Sequence, residues 1–242
     1  METGGRPGAE VIAESGWLAA HRFLILRRVS LMGILALFLL GPLAGIWIVK
    51  GNMASSLTLD VLPLTDPLVL LQVFLSGHLP ESSALIGVAI VLVFYLLVGG
   101  RVYCSWVCPI NIVTDVAEWL RRRLKIKNSA NFSANTRYWL LGGILLVAAI
   151  SGSVAWELIN PVSMVYRGLV FGMGLAWGVV AAVFLLDLFV GRRAWCGRLC
   201  PVGAFYGLLG EGAMLRVSAV RREQCDDCMD CFAICPEHQV IK

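Results

Sequence analysis

Apolar positions gather along the chain into four long runs, at 29–49, 84–100, 138–159 and 169–190, separated by polar and charged segments. Each reaches or approaches the roughly 20 apolar residues that a helix needs to cross a bilayer. The second is the shortest and can borrow Ser82 and Ser83. A continuous apolar helix satisfies its own backbone polar groups, so the runs predict transmembrane helices rather than strands. Between the first two, the loop 50–83 contains Thr65-Asp66-Pro67 followed by an apolar run. Asp66 as N-cap with Pro67 in the first helical position predicts a short helix at about 66–76. It is too short to span, so it is expected to lie in the outer interface. A second amphipathic stretch, 112–124, ends in Arg121-Arg122-Arg123 and is expected on the inner leaflet with its arginines near anionic headgroups.

Composition agrees with a bilayer setting: 58% of the 242 residues are hydrophobic and 15% charged, with a mean hydropathy of +0.79. Eighteen of the twenty basic residues fall before run one, between runs two and three, or after run four; Lys50 and Arg167 are the exceptions. The positive-inside rule then places both termini and the loop 101–137 in the cytoplasm and the segments 50–83 and 160–168 outside. The N-terminal segment 1–28 lacks the charged start and cleavage pattern of a signal peptide, so run one reads as a retained anchor. No soluble basic domain is present to bind nucleic acid.

All eight cysteines fall on the cytoplasmic side, where disulfides are rare and metal or redox roles gain weight. Cys225-x2-Cys228-x2-Cys231-x3-Cys235-Pro236 has the spacing that ligates a 4Fe-4S cluster. Zinc ribbons separate their two cysteine pairs by about 15–20 residues, far more than here. In two-cluster ferredoxins the fourth cysteine of such a run serves the other cluster. No second run occurs in this sequence. The expectation is a C-terminal continuation, with closure of one cluster by Cys235 or ligation in trans as alternatives. The segment 210–242 has too few apolar residues for a core and is expected to be organised by its cluster.

The other four cysteines form two copies of Cys-x3-Cys-Pro, at Cys104, Cys108 and at Cys196, Cys200, within a repeat of 92 residues. Each copy ends a helical hairpin, which suggests two parallel halves about a pseudo-twofold axis. If helix persists, cysteines at i and i+4 share a face. The four thiols can then hold a second cluster, cycle as dithiols or contact a partner. The expected fold class is therefore an all-α integral membrane protein of four transmembrane helices, two repeated hairpins, with a cytoplasmic ferredoxin-type extension.

Haem is excluded as an intramembrane carrier, since His21, His78 and His238 lie outside the apolar runs and no Cys-x2-Cys-His site exists. Quinol oxidation releases two protons, so ionisable groups near the hydrocarbon are candidates: Asp66, His78 and Glu157 on the outer side and Asp187 on the inner.

Arg27-Arg28, Pro63 to Pro67, Tyr103 to Asn111, Asn160 to Ser163, Trp195 to Ala204 and Cys225 to Glu237 together resemble the membrane-bound quinol dehydrogenase polyferredoxins of periplasmic nitrate reductase systems, the NapH type. The resemblance runs essentially end to end. It implies an inner-membrane protein taking electrons from ubiquinol or menaquinol towards periplasmic nitrate reductase. Its implied partners are a periplasmic ferredoxin-type subunit and a membrane multihaem cytochrome. A maturation or cofactor-maintenance role for a respiratory reductase or oxidase is the alternative, and related polyferredoxins serve nitrous oxide reduction or methylamine use.

Overall fold

The computed structural model describes residues 16–126, 130, 133, 135–172 and 174–215. The ferredoxin-spaced run Cys225, Cys228, Cys231, Cys235 and residues 1–15 of the N-terminal segment lie outside them.

The chain is mostly helical. Helix α1 covers Trp17–Ala44 and contains Pro42. Run one was expected to begin at residue 29 and end at 49. The helix instead starts twelve residues earlier and stops at Gly45, whose left-handed φ of 73° lets its own N–H donate to the Gly41 carbonyl and the Ile46 N–H to the Leu40 carbonyl. Arg27 and Arg28 are thus inside the helix, not ahead of it.

Residues expected to be irregular form a three-stranded antiparallel sheet: β1 (Val49–Gly51), β2 (Ser55–Thr58) and β3 (Leu62–Thr65), with Val49 opposite Thr58 and Ser55 opposite Thr65. This corrects the all-α expectation. Two short strands with Gly51 and Pro63 carry no readable alternation, and their pairing is decided by packing on the next long helix. Helix α2 (Pro67–Leu75) follows, with Asp66 accepting from the Leu68 N–H. Leu68 and Gln72 are buried and it packs on α3 (Ser82–Val98) and α5 (Thr136–Ser151). Strand β3 also packs on α3, where a Cβ on Gly87 would stand 3.0 Å from Thr65 Oγ1 and 3.1 Å from its N. The missing side chain admits the sheet.

After α3 comes a single π turn, Tyr103–Val107, then α4 (Ile110–Arg123). Helix α5 stops at Ser151, before the expected 159, at the left-handed Gly152; a 3-10 turn follows at Ala155–Leu158. Helix α6 (Pro161–Phe171) occupies the expected outer loop, capped by the Asn160 side chain as α2 is by Asp66. Run four is consequently broken at Gly172, and α7 (Gly174–Leu185) continues as a π turn, Leu186–Val190. A further π turn, Trp195–Leu199, leads into α8 (Pro201–Glu211).

The repeat is visible in the elements themselves: Ser82–Val98 with Gly174–Val190, and Tyr103–Val107 with Trp195–Leu199, are each 92 residues apart. The halves interlock, because α4 packs on α7 and α8 packs on α3. Arg121, expected among headgroups, is instead buried, donating to the carbonyls of Asp187 at 3.3 Å and Leu188 at 2.8 Å. It closes the backbone of a helix end that has no further turn to do so.

Among the described residues one helical stretch, His21–Ala44, is long and apolar enough to cross a membrane; Ser82–Val98, Thr136–Ser151 and Gly174–Val190 are shorter apolar helices.

Candidate functional site

Four cysteines from the two halves meet at one small cavity of about 20 Å³, lined also by Tyr103, Ile110, Trp156, Asn160, Trp195 and Val202. Helix does not persist through either motif. The first cysteine of each pair sits in its π turn, while Cys108 (φ −73°, ψ 115°) and Cys200 (φ −68°, ψ 115°) are extended because a proline follows. The i, i+4 helical-face expectation is thereby corrected, although both pairs still reach the same cavity. Cys200 becomes the N-cap of α8, its sulfur accepting from the Gly203 N–H at 3.4 Å.

The first motif is clamped by Arg27, which donates to the Ser105 carbonyl at 2.7 Å and to Asn111 Oδ1. The Asn111 amide in turn donates to the Cys104 carbonyl at 3.0 Å. In the second motif Asp187 accepts from the Trp195 N–H at 2.9 Å. Arg193 pairs with Asp115 at 2.6 Å and Glu118 at 2.7 Å, tying that motif to α4.

None of the four forms a disulfide among the described residues. Burial, with Cys200 close by, pushes Cys108 up to about 12, and burial also raises Cys196 and Cys200. They are protonated in this arrangement. Four sulfurs are the right donors for an iron-sulfur cluster, and the buried Trp156 Nε1–H beside them has no acceptor. Yet no three His, Cys, Asp or Glu side chains among the described residues stand close enough to hold a metal ion. The cavity has room for about one water. A cluster does not fit between these cysteines as they stand.

A far larger cavity of about 510 Å³ lies between α1, the sheet, α3 and α8. Its walls are apolar except where Ser56, Thr58, Thr65, Asp66 and three tyrosines converge. Tyr206 of α8 stacks on Tyr103 (ring centroids 4.7 Å, 16°) and meets Tyr95 edge-on at 5.0 Å. The Tyr206 hydroxyl donates to Asp66 Oδ1 at 3.1 Å, and the Leu68 N–H donates to the same oxygen at 3.0 Å. Burial, opposed by these two hydrogen bonds and assisted by nearby Glu157, pushes the Asp66 carboxyl up to about 6. Tyr103 lines both cavities.

Of the four predicted acid-base residues only Asp66 lines the large cavity. His78 is exposed, 3.1 Å from Ser76 Oγ. Glu157 is half-buried and accepts from Ser163 and from Asn160 at 3.2 Å. Asp187 is buried in a structural role at the second motif. The tyrosines went unpredicted. Their one sequence signal is that three of only five tyrosines lie in or beside the repeated segments.

The family described as 4Fe-4S binding domain matches residues 83–127 and 170–221, the two segments that carry the Cys-x3-Cys-Pro motifs. The chain is 54% identical to the methylamine utilization ferredoxin-type protein MauN of Methylorubrum extorquens, over 96% of this chain and 81% of that protein. MauN of Paracoccus denitrificans is 56% identical over 95% of this chain and 81% of its own length. The ferredoxin-type protein NapH of Escherichia coli is 48% identical over 97% and 82%. No solved structure matches the chain.

Proposed function

This chain belongs to the family of ferredoxin-type proteins that includes NapH and MauN, and from that premise we propose that it is a multi-pass membrane electron carrier. It would oxidise ubiquinol or menaquinol and pass the electrons through a 4Fe-4S cluster towards a periplasmic redox system. The observation that carries this reading is where the matched iron-sulfur segments are built. They stand on apolar helices whose exposed faces are largely hydrophobic, with Ile86 and Val93 each 56% exposed on α3 and Leu175 81% exposed on α7. Such contiguous apolar surface is not tolerated in water but suits lipid. In that setting the reductant at hand is lipid-soluble.

On this reading α1, α3, α5 and α7 with its π turn all cross the bilayer, the 16 to 17 residues of the shorter ones being helped by flanking aromatic and basic anchors. The membrane is the bacterial inner membrane, with both termini in the cytoplasm by the charge rule. Cys225, Cys228, Cys231 and Cys235 are assigned as cluster ligands; Cys104, Cys108, Cys196 and Cys200 form a reduced thiol quartet at the interface of the halves. A periplasmic ferredoxin-type subunit, a membrane multihaem cytochrome and, indirectly, periplasmic nitrate reductase are the proposed partners. The higher identity to the two MauN proteins, 54% and 56% against 48% for NapH, supports methylamine utilization as a second destination.

The test is to add quinol anaerobically to membranes containing the full chain and follow the iron-sulfur signal by electron paramagnetic resonance. Reduction of the cluster is expected. A cluster of native iron content that quinol leaves oxidised would refute the reading. Growth of a deletion strain on nitrate and on methylamine then separates the two destinations.

A further inference from the structure

Resting on the quinol reading above, we propose that the large cavity is the quinol site, with Asp66 as the base that takes the ring hydroxyl proton and Tyr206 as the residue that positions it. The cavity volume of about 510 Å³ lies within the range of pre-formed small-molecule sites. Its opening faces lipid: Leu37 of α1 and Phe94 of α3 line it and are still 39% and 50% exposed. A prenylated ring can therefore enter sideways between the two helices without crossing water.

Inside, both hydrogen bonds to Asp66 fall on Oδ1. Oδ2 is left as the acceptor available to a ligand. A hydroquinone hydroxyl fits it, and the ring meets the flat faces of Tyr103 and Tyr95.

The internal repeat supplies an independent argument. In the second half the corresponding helix cap, 94 residues after Asp66-Pro67 and so two residues out of the 92-residue register, is Asn160-Pro161, whose side chain caps α6 in the same way, accepting from the Val162 N–H at 3.1 Å. The position 92 residues before Tyr206 is Thr114. There the fold makes the cap with an amide, which also donates to Glu157. Of these two caps it is the ionisable one, joined to a phenol of the other half, that lines the large cavity.

Oxidation releases two electrons and two protons from the hydroquinone. The electrons leave singly to the one-electron iron-sulfur acceptor of the reading above. The first proton passes to Asp66, which must release it to water before accepting the second. The ionisable groups facing Asp66 are Tyr206 of α8, Tyr95 of α3, Tyr103 and Cys200 of the two motifs, and Glu157 of the 3-10 turn. Of these, Asp66 is the carboxyl that burial pushes up to about 6.

The experiment uses the full chain in lipid nanodiscs, with a hydroxyquinoline N-oxide as the binding probe and a short-chain ubiquinol as substrate. Val91→Trp and Ile90→Phe, which fill the cavity, are expected to weaken probe binding at least tenfold while thermal unfolding confirms a folded protein. Asp66→Asn keeps the helix cap. It is expected to keep probe binding within a few-fold, to lower kcat for quinol by about 100-fold, and to abolish the acidic limb of the pH profile. Tyr206→Phe removes a hydrogen bond that favours the carboxylate, so the limb is expected to move to higher pH. Unchanged binding in both cavity variants, or an unchanged rate and pH limb in Asp66→Asn, would overturn the site while leaving quinol oxidation intact. If the wild type binds the probe and the cavity variants do not, but quinol never reduces the cluster, the site stands as a lipid-soluble ligand site and the quinol reading falls.

Discussion

Tyr206 and Asp66 are joined by a 3.1 Å hydrogen bond across 140 residues of sequence. One caps a helix between the first two apolar spans; the other lies in the helix after the second cysteine motif. The bond therefore locks the entrance of one half to the exit of the other, and it does so at the wall of the 510 Å³ cavity.

The first prediction concerns stability against pH. Asp66 is raised from 3.8 to about 6, chiefly by burial. A raised carboxyl contributes stability that is fully present below the unfolded value and is lost as pH rises through the folded one. Asp66→Asn is thus expected to melt above the wild type at pH 8 and to match it near pH 4. A lower Tm for the variant at pH 8 would contradict the burial assigned to Asp66.

Gly100 holds α8 in place by having no side chain. A Cβ there would lie 1.8 Å from the Tyr206 carbonyl oxygen and 3.0 Å from the Gly210 nitrogen. Both neighbours are backbone, so α8 must move. Gly100→Ala is expected to cost about 3 kcal/mol in denaturant unfolding and to weaken probe binding in the cavity. Gly143→Ala, with open space around its Cβ, is the control and is expected to gain about 0.5–1 kcal/mol.

Arg27 is expected to hold the first cysteine motif in register. Losing a buried charged donor leaves the Ser105 carbonyl and Asn111 without it, at a cost of about 2 kcal/mol. Arg27→Met should lower Tm and speed alkylation of Cys104 and Cys108 in the folded protein. Arg27→Lys should recover less than half of the loss, because one ammonium cannot serve both acceptors in the geometry of a guanidinium.

Iron content separates the two cysteine sets. Cys228→Ser is expected to remove cluster iron, whereas replacing Cys104, Cys108, Cys196 and Cys200 together by serine should leave iron per chain unchanged. Loss of iron from the fourfold variant would show that the quartet closes on a cluster after the turns rearrange. In the wild type, alkylation of Cys108 at pH 7.5 should be slow until the protein unfolds, as expected of a thiol pushed up to about 12.

Local chemistry made part of this molecule readable. The apolar runs, the 92-residue repeat, the cap at Asp66-Pro67 and the cysteine spacings each depend on a few neighbouring residues. Asp66 was within reach because a carboxylate beside an apolar run is expensive. His78, Glu157 and Asp187 shared that signal, and nothing in one dimension separates the four. Tyr206 had no such mark, since a tyrosine in an apolar helix is ordinary until its hydroxyl is seen to find a carboxylate.

By itself the sequence determined the apolar helices, their duplication and the donor atoms available for iron-sulfur chemistry, because these follow from composition and short spacing. Only the tertiary structure decided where the helices end, that residues 49–65 pair as a sheet, that Arg27 and Arg121 turn inward, and which carboxylate faces the cavity. The reason is physical. Buried cations and a phenol-carboxylate contact are stabilised by partners 66 to 140 residues away, and the sheet by packing on α3; such partners exist only once the chain has folded back on itself.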